Sequence, residues 1–147
     1  MQQLIESFGE MAHLSKEAEA ALMSIIETKK FKKKTRLLSE GEISNQLYFV
    51  EEGMVTAQLE TEDGQIVRLR SMRGGTPVGE MGLYMGIPRT ADVIASRSTL
   101  VYRLSAEALE RMRKDDPEVA ALLHEWIARQ LAERLAASNR TIEALMD

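Results

Sequence analysis

The spacing of apolar residues divides the chain into a helical start, a strand-like middle and a helical end. Helical spacing runs from Gln2 to Met11 and from Ser15 to Thr28, with Ser15 placed to cap the second helix. From Phe31 the chain changes to short apolar runs separated by glycine-containing turns. These runs predict strands over Gln46–Val50, Met54–Leu59, Gln65–Leu69, Ala91–Ala95 and Leu100–Leu104.

Two further helices are predicted after the strands. Ser105 is placed to cap a helix over Ala106–Lys114, and Pro117 suits the first turn of a long helix that reaches about Met146. Helices confined to the two ends predict an α+β fold, with an antiparallel β-roll or jelly-roll barrel between them. We expect one domain over 1–147, with N-terminal helices over 1–29, the β-roll over 30–104 and C-terminal helices over 105–147.

Composition narrows the classes of function. The chain has 147 residues and no cysteine, which excludes disulfides, thiolate zinc sites and cysteine nucleophiles. No apolar run is long enough to cross a bilayer, so we expect a cytoplasmic protein, or a position at the cytoplasmic face of a membrane within a larger protein. A net charge of −4 gives no reason to expect nucleic-acid binding. The basic run from Lys29 to Arg36 is interpreted as a solvated helix end and edge strand rather than a patch for acidic lipid.

The segment 74–91, GGTPVGEMGLYMGIPRTA, carries the candidate chemistry. Its glycines allow close backbone approach, and Glu80–Met85 is predicted to form a short helix whose free amides suit an anion. The planar fork of Arg89 can hold two phosphate oxygens, and Thr90 adds a hydroxyl. Glu80 suits a sugar hydroxyl on the same ligand. The spacing of Gly74 and Gly79 is that of a P-loop, but Glu80 stands where a P-loop needs lysine, so the segment is not predicted to bind a triphosphate. An anion site, a sugar site and a cation together predict a nucleotide pocket.

This segment resembles the phosphate-binding cassette of the cyclic-nucleotide-binding domains, a family that includes catabolite activator protein, protein kinase A regulatory subunits and cyclic-nucleotide-gated channels. The resemblance rests on Val78-Gly79-Glu80-Met81-Gly82-Leu83 followed by Pro88-Arg89-Thr90-Ala91, and extends roughly from Phe31 to the last helix. It implies that Glu80 binds the ribose 2′-hydroxyl and that Arg89 binds the cyclic phosphate. It also implies that the phosphate pocket is completed by Gly79, Met81, Gly82, Thr90 and Ala91, with Leu69 and Met72 beneath the sugar and base.

The resemblance bears on the ligand, which is cAMP or cGMP; no other cofactor is implied. A threonine at the position of Thr90 is linked in the family to acceptance of cGMP, through the guanine amino group. Bacterial cAMP binders also use serine or threonine there, so the sequence favours cAMP only slightly.

The last helix is expected to report binding. Its apolar stripe from Val119 to Leu145 is about 40 Å long, more than a small barrel covers, so its distal part is expected to form a homodimer or contact a partner. Alignment from Pro117 places Arg134 near the position that caps the base in the family; a solvated arginine on the outer face is the alternative. The chain ends at Asp147 without a helix-turn-helix, so we expect no direct DNA binding. The runs Glu80–Tyr84 and Asn139–Leu145 are similar to the C-terminal domains of SulP-type anion transporters, which implies a possible transporter parent or effector.

Together these features predict a non-catalytic cyclic-nucleotide sensor. An enzyme on a similar barrel, such as a cupin, would need a set of histidine ligands inside the barrel. The chain has only His13 and His124, which both lie in the predicted helical ends of the chain, outside the barrel. The alternative function is a protein-interaction or dimerisation module whose pocket does not respond to ligand.

Overall fold

The computed structural model describes Leu4 and residues 15–146. Its helices are α1 (Lys16–Ile25), α2 (Glu80–Met85), α3 (Ala106–Asp115) and α4 (Pro117–Met146). Its strands are β1 (Glu27–Phe31), β2 (Arg36–Leu38), β3 (Gln46–Glu52), β4 (Met54–Glu60), β5 (Ile66–Arg73), β6 (Thr76–Val78), β7 (Asp92–Ala95) and β8 (Thr99–Ser105). Apart from Leu4, the helix predicted over Gln2–Met11 falls outside the described residues.

The eight strands form two antiparallel four-stranded sheets. Their strand orders are β1-β8-β3-β6 and β2-β7-β4-β5. Both sheets contribute alternate side chains to one core, in which Val50 and Val101 of the first sheet meet Val55 and Ala95 of the second. The predicted α+β fold with an antiparallel β-roll is confirmed.

The outer face of the first sheet is covered by helices. Leu47 and Phe49 of β3 point away from the inner core and pack with Leu123, Trp126 and Ile127 of α4. The rings of Phe49 and Trp126 lie 5.0 Å apart, centroid to centroid. The first half of α4 is therefore anchored to the β-roll, whereas Leu135, Ile142 and Leu145 in its second half are exposed.

Local capping signals predicted the helix starts correctly. Ser15 Oγ accepts a hydrogen bond from the Ala18 amide at 3.1 Å, and Ser105 Oγ accepts one from the Ala108 amide at the same distance. The end of α1 was predicted wrongly, at Thr28. The helix ends at Ile25 because Glu27–Phe31 pairs with β8 as an edge strand, so the strands begin before residue 30.

Three strands and part of a fourth were missed in the sequence. β1, β2 and β6 have five, three and three residues, too few for alternation to stand out. β5 was predicted to end at Leu69 but continues to Arg73. The continuation matters, because it brings residues 70 and 72 to the site described next.

Candidate functional site

A cleft opens between the second sheet and the segment that carries α2. Nine of the ten residues predicted for the site line it: Met72, Gly79, Glu80, Met81, Gly82, Arg89, Thr90, Ala91 and Arg134. The rest of its wall is mostly apolar and comes from Leu38, Ala57, Val78 and Val93. Residues that are 54 positions apart in sequence, Glu80 and Arg134, therefore share one hollow.

Leu69 is the predicted site residue that does not line the cleft. The residue is 52% exposed, and Arg70 takes its place in the lining. The reason is the register of β5 on β4: Arg70 pairs with Ala57 and Arg68 with Gln58, so Leu69 falls in a bulge without an opposite residue. Sequence reasoning missed Arg70 because it ended the strand too early. Two-residue alternation back from Met72 would have found it.

Arg89 lies beneath α2 and is 5% exposed. Its Nη1 donates to the Gly79 carbonyl at 2.7 Å and its Nη2 donates to the Gln46 carbonyl at 2.6 Å. Burial lowers the pKa of Arg89, an effect partly offset by Tyr48, Glu42 and Glu80, and the guanidinium stays charged. Its Nε is buried and has no hydrogen-bond partner among the described residues. An anion that reached Nε would satisfy a donor that is otherwise costly to bury.

Two glycines make room for this guanidinium. Gly79 caps α2 with φ +94°, and a Cβ there would lie 2.7 Å from Arg89 Nη1. A Cβ on Gly82 would lie 2.4 Å from the Ser44 carbonyl oxygen and 2.6 Å from the same Nη1. The cassette glycines are thus required by the close packing of helix backbone on arginine.

The first turn of α2 leaves amides free next to Arg89. The Leu83 amide donates to the Gly79 carbonyl at 3.2 Å and makes the first bond of the helix. The amides of residues 80, 81 and 82 precede it and have no intrahelical acceptor. Together with the guanidinium, they form a compact group of donors that suits an anion.

Glu80 and Arg134 join the cassette to α4. Arg134 Nη1 donates to Glu80 Oε1 at 2.8 Å, and its Nη2 donates to the Pro77 carbonyl at 2.8 Å. The two side chains are 10% and 17% exposed, so Arg134 is not a solvated residue of the outer face. Glu80 Oε2 accepts no hydrogen bond from the residues that the structure describes, which leaves it available to a hydroxyl.

A second contact joins the same two helices. Tyr84 Oη and His124 Nδ1 lie 2.8 Å apart, and the ring centroids are 5.6 Å apart. Partial burial raises the pKa of Tyr84 to about 12. His124 thus contacts a tyrosine on α2, whereas His13 falls outside the described residues.

Within Leu4 and 15–146, no three acidic or histidine side chains come together as a metal site. None of the helices in that part of the chain combines the length and the apolar character that a bilayer crossing requires.

The family model of the cyclic nucleotide-binding domain matches residues 28–116. The chain belongs to the cyclic nucleotide-binding domain family. The match contains every strand from β2 to β8 together with α2, and so includes the cassette side of the cleft. Arg134 lies beyond the matched range, on α4.

Relatives of this cyclic nucleotide-binding domain occur inside larger proteins. The chain is 30% identical over 135 residues to glutaminase 2 of Bradyrhizobium diazoefficiens, covering 92% of this chain and 21% of that protein. It is 28% identical over 103 residues to the cAMP-activated global transcriptional regulator CRP of Salmonella typhimurium, covering 69% of this chain and 49% of the regulator. The chain thus spans half or less of both relatives.

The fold is shared with a solved structure. The crystal structure of a cyclic nucleotide-binding domain from Methylobacillus flagellatus superposes with a TM-score of 0.88, covering 97% of this chain and 82% of that one. Because the two sequences are only 23% identical, this likeness is evidence for a shared fold and not for a shared function.

Proposed function

We propose that this chain is a non-catalytic regulatory domain that binds a cyclic nucleotide in the cleft and signals through α4. The observation that carries the proposal is the placement of Glu80 and Arg89 in one cleft of a cyclic nucleotide-binding domain. A cleft with apolar walls and a few convergent polar groups is typical of a small-molecule site.

The cleft offers a partner for each part of the ligand. Arg89 and the amides of residues 80–82 would take the cyclic phosphate, with Thr90 beside them. The free Oε2 of Glu80 would accept from the ribose 2′-hydroxyl. Met72 and the apolar wall would lie against the sugar and the base. These groups bind and orient a ligand, and they include no nucleophile activated by a neighbouring base.

Arg134 makes α4 sensitive to the ligand. Its guanidinium donates to Glu80 Oε1, and the ribose would bind the other oxygen of the same carboxylate. A ribose hydroxyl on Oε2 would draw on the same negative charge, and would therefore change the strength of the Glu80–Arg134 ion pair and with it the relative free energies of two positions of α4. The sequence placed Arg134 near the base, where its guanidinium would stack on a purine.

We further propose that the domain regulates a larger protein. Its relatives include a glutaminase and a transcriptional regulator that extend well beyond the matched part. An anion transporter is the other parent that we propose, on the similarity of the runs Glu80–Tyr84 and Asn139–Leu145 alone. The exposed distal stripe of α4 favours pairing with a second copy of the chain. On this proposal, the domain reaches DNA, membrane or substrate only through the protein it belongs to, and it acts in the cytoplasm.

The test is thermal stabilisation by cAMP and by cGMP, followed by isothermal titration. Ligand at a hundred times its Kd should stabilise the fold by about 2.7 kcal/mol, a rise of several degrees in Tm. Arg89→Lys keeps the charge but loses the fork, and should weaken binding strongly. Arg97→Lys is the matched control, because Arg97 is exposed and lies outside the cleft.

The second candidate is an interaction module with a non-responsive pocket, favoured by the apolar stripe on α4. It predicts a dimer that forms equally with and without nucleotide. No shift of Tm with either nucleotide at millimolar concentration would contradict the proposed function and support this candidate.

A further inference from the structure

Basic side chains that the proposed function does not use lie at one end of the β-roll. The turn 32–35, between β1 and β2, lies against the turn 96–98, between β7 and β8. The Lys34 amide donates to the Ala95 carbonyl at 2.7 Å, and the Ala95 amide donates to the Thr35 carbonyl at 2.8 Å. These two turns therefore form one continuous surface.

The end of β5 belongs to the same surface. The Ser96 amide donates to the Met54 carbonyl at 2.9 Å, at the start of β4. Met54 is paired with Arg73, the last residue of β5. This surface, the basic end, presents five exposed side chains: Lys32, Lys33, Lys34, Arg73 and Arg97.

The cations of the basic end have no acidic partners within the described part of the chain. None of their side chains forms a hydrogen bond or an ion pair with a residue that the structure describes. Glu52, beside the turn at Gly53, is the exposed carboxylate among the described residues of this end. The turns at the opposite end of the roll are acidic and carry Glu40, Glu42, Glu62 and Asp63. Positive charge is thus concentrated at one end of a chain whose net charge is −4.

Lys34 holds its charge in a backbone conformation that disfavours lysine. Its φ is +76°, and every other described residue with positive φ is a glycine. Glycine would adopt this conformation without a steric cost, and it would add no charge. Strained residues of this kind cluster at functional sites, which directs attention to this turn.

The chemistry of the basic end fits a membrane surface better than a nucleic acid or a protein. Three of its cations are lysines, compact point charges of the kind that anionic headgroups attract. Its turns carry no aromatic side chain on which a base could stack, and no helix or β-ribbon that could fill a major groove. They also lack the apolar centre that is usual in a protein interface.

We infer that the basic end of the β-roll docks on membranes that contain anionic phospholipids. The attraction is electrostatic and reversible, because the turns present no large apolar side chain for insertion. The acidic end then faces away from the membrane. The segment 79–91 leaves β6 at that far end, so a docked domain keeps its cleft accessible.

The inference goes beyond the proposed function and amends it in one respect. The domain would contact a membrane directly, and not only through the protein it belongs to. It also revises the interpretation of the run Lys29–Arg36. That run begins in edge strand β1, as the sequence predicted, but the tertiary structure adds Arg73 and Arg97 to its second half.

The test is co-sedimentation of the chain with two kinds of vesicle. One is phosphatidylcholine alone, and the other has two parts of phosphatidylcholine to one part of phosphatidylserine. The chain should bind only the anionic vesicles. Raising the salt from about 0.1 M to about 1 M shortens the Debye length from about 10 Å to about 3 Å, and should release the chain. Equal binding to both kinds of vesicle, or binding to neither, would overturn the inference.

A triple variant assigns the binding to this surface. Replacing the three lysines of the turn 32–35 with glutamine should weaken binding to anionic vesicles on the order of 100-fold, since each basic residue contributes roughly fivefold. The matched control replaces Lys16, Lys114 and Arg140 with glutamine, which removes the same charge from exposed positions outside the basic end. It should bind nearly as well as the parent. Equal weakening in both triple variants would mean that only net charge matters, and the docking surface would be wrong.

Lys34→Gly separates docking from folding. Glycine relieves the strain of a positive φ, so Tm should stay the same or rise, while binding to anionic vesicles should fall roughly fivefold. Unchanged binding in this variant and in the triple variant would contradict the assignment.

The last comparison is with nucleic acid. Tighter binding of duplex or single-stranded DNA than of anionic vesicles, at equal salt, would refute a membrane as the partner. None of these measurements contains a cyclic nucleotide. The docking surface and the proposed function can therefore fail independently.

Discussion

Arg134 of α4 and Glu80 of α2 form an ion pair of 2.8 Å across the mouth of the cleft. The arginine comes from the helix proposed to signal, and the carboxylate comes from the cassette proposed to hold the ribose. Arg134 also holds the Pro77 carbonyl at 2.8 Å, just before the cassette. On the proposed function, this relationship would make the occupancy of the cleft and the position of α4 parts of one equilibrium.

The Glu80–Arg134 pair should contribute measurably to the stability of the fold. Removing one partner leaves the other charge largely buried, so Arg134→Ala should lower the free energy of unfolding by about 1–3 kcal/mol. The double variant with Arg134→Ala and Glu80→Gln should lose less unfolding free energy than the sum of the losses in the two single variants. Denaturant unfolding of all four proteins measures the coupling. Strictly additive costs would contradict a direct interaction.

Alanine at residue 82 should disturb both the fold and the ligand site. Its Cβ would lie within 2.6 Å of Arg89 Nη1 and of the Ser44 carbonyl oxygen, so the guanidinium must shift. We expect Gly82→Ala to destabilise the protein by about 1–3 kcal/mol and to weaken nucleotide binding at least tenfold, an order-of-magnitude expectation for overpacking against a binding group.

Gly86→Ala is the control for that change. Gly86 has φ +66° and open space around its missing Cβ, so alanine there strains the backbone without touching Arg89. It should lower Tm while leaving the Kd for nucleotide unchanged. Equal losses of affinity in both variants would show that Gly82 acts through the helix as a whole.

Tyr84 should make the protein sensitive to alkaline pH. Burial raises its pKa to about 12, whereas tyrosine in an unfolded chain titrates near 10. The folded state therefore holds this proton more tightly, and the stability it contributes is complete below pH ~10 and is lost as the pH rises towards about 12. Tyr84→Phe should flatten the fall in unfolding free energy over that interval.

Part of the alkaline dependence should survive in that variant, because burial also raises the pKa of Tyr102. Tyr102→Phe should remove that part separately. Unfolding by denaturant at a series of pH values measures both. A Tyr84→Phe protein that loses stability as steeply as the parent would contradict the assignment.

The distal half of α4 should mediate self-association. Leu135 and Ile142 are two turns apart on one face and are 62% and 54% exposed. Replacing both with glutamate should yield a monomer under conditions in which the parent is a dimer, as measured by sedimentation velocity. Ala137→Glu, on the opposite face, should leave the dimer intact. A parent protein that is monomeric at all concentrations would contradict this prediction.

Elements with local signals were predicted well. The observed bounds of α2 and α4 match the predicted ones, because each helix is indicated by residues that are close in sequence. For α2 these are the glycines around it, and for α4 they are Pro117 and the apolar stripe that follows. The caps at Ser15 and Ser105 involve atoms three residues apart. Nine of ten proposed site residues share the cleft because most of them belong to a single continuous segment, 79–91.

The sequence by itself determined the α+β fold class, the cassette and the starts of the capped helices, since each is predicted from spacing, turn and capping signals between residues near in the chain. Only the tertiary structure decided the edge strand β1, whose residue Glu27 pairs with Arg103 on β8, 76 positions away. It also decided that Arg70 replaces Leu69 in the cleft and that Arg134 pairs with Glu80. Strand register and ion pairs of this kind are set by which distant surfaces pack together, and no local pattern encodes them.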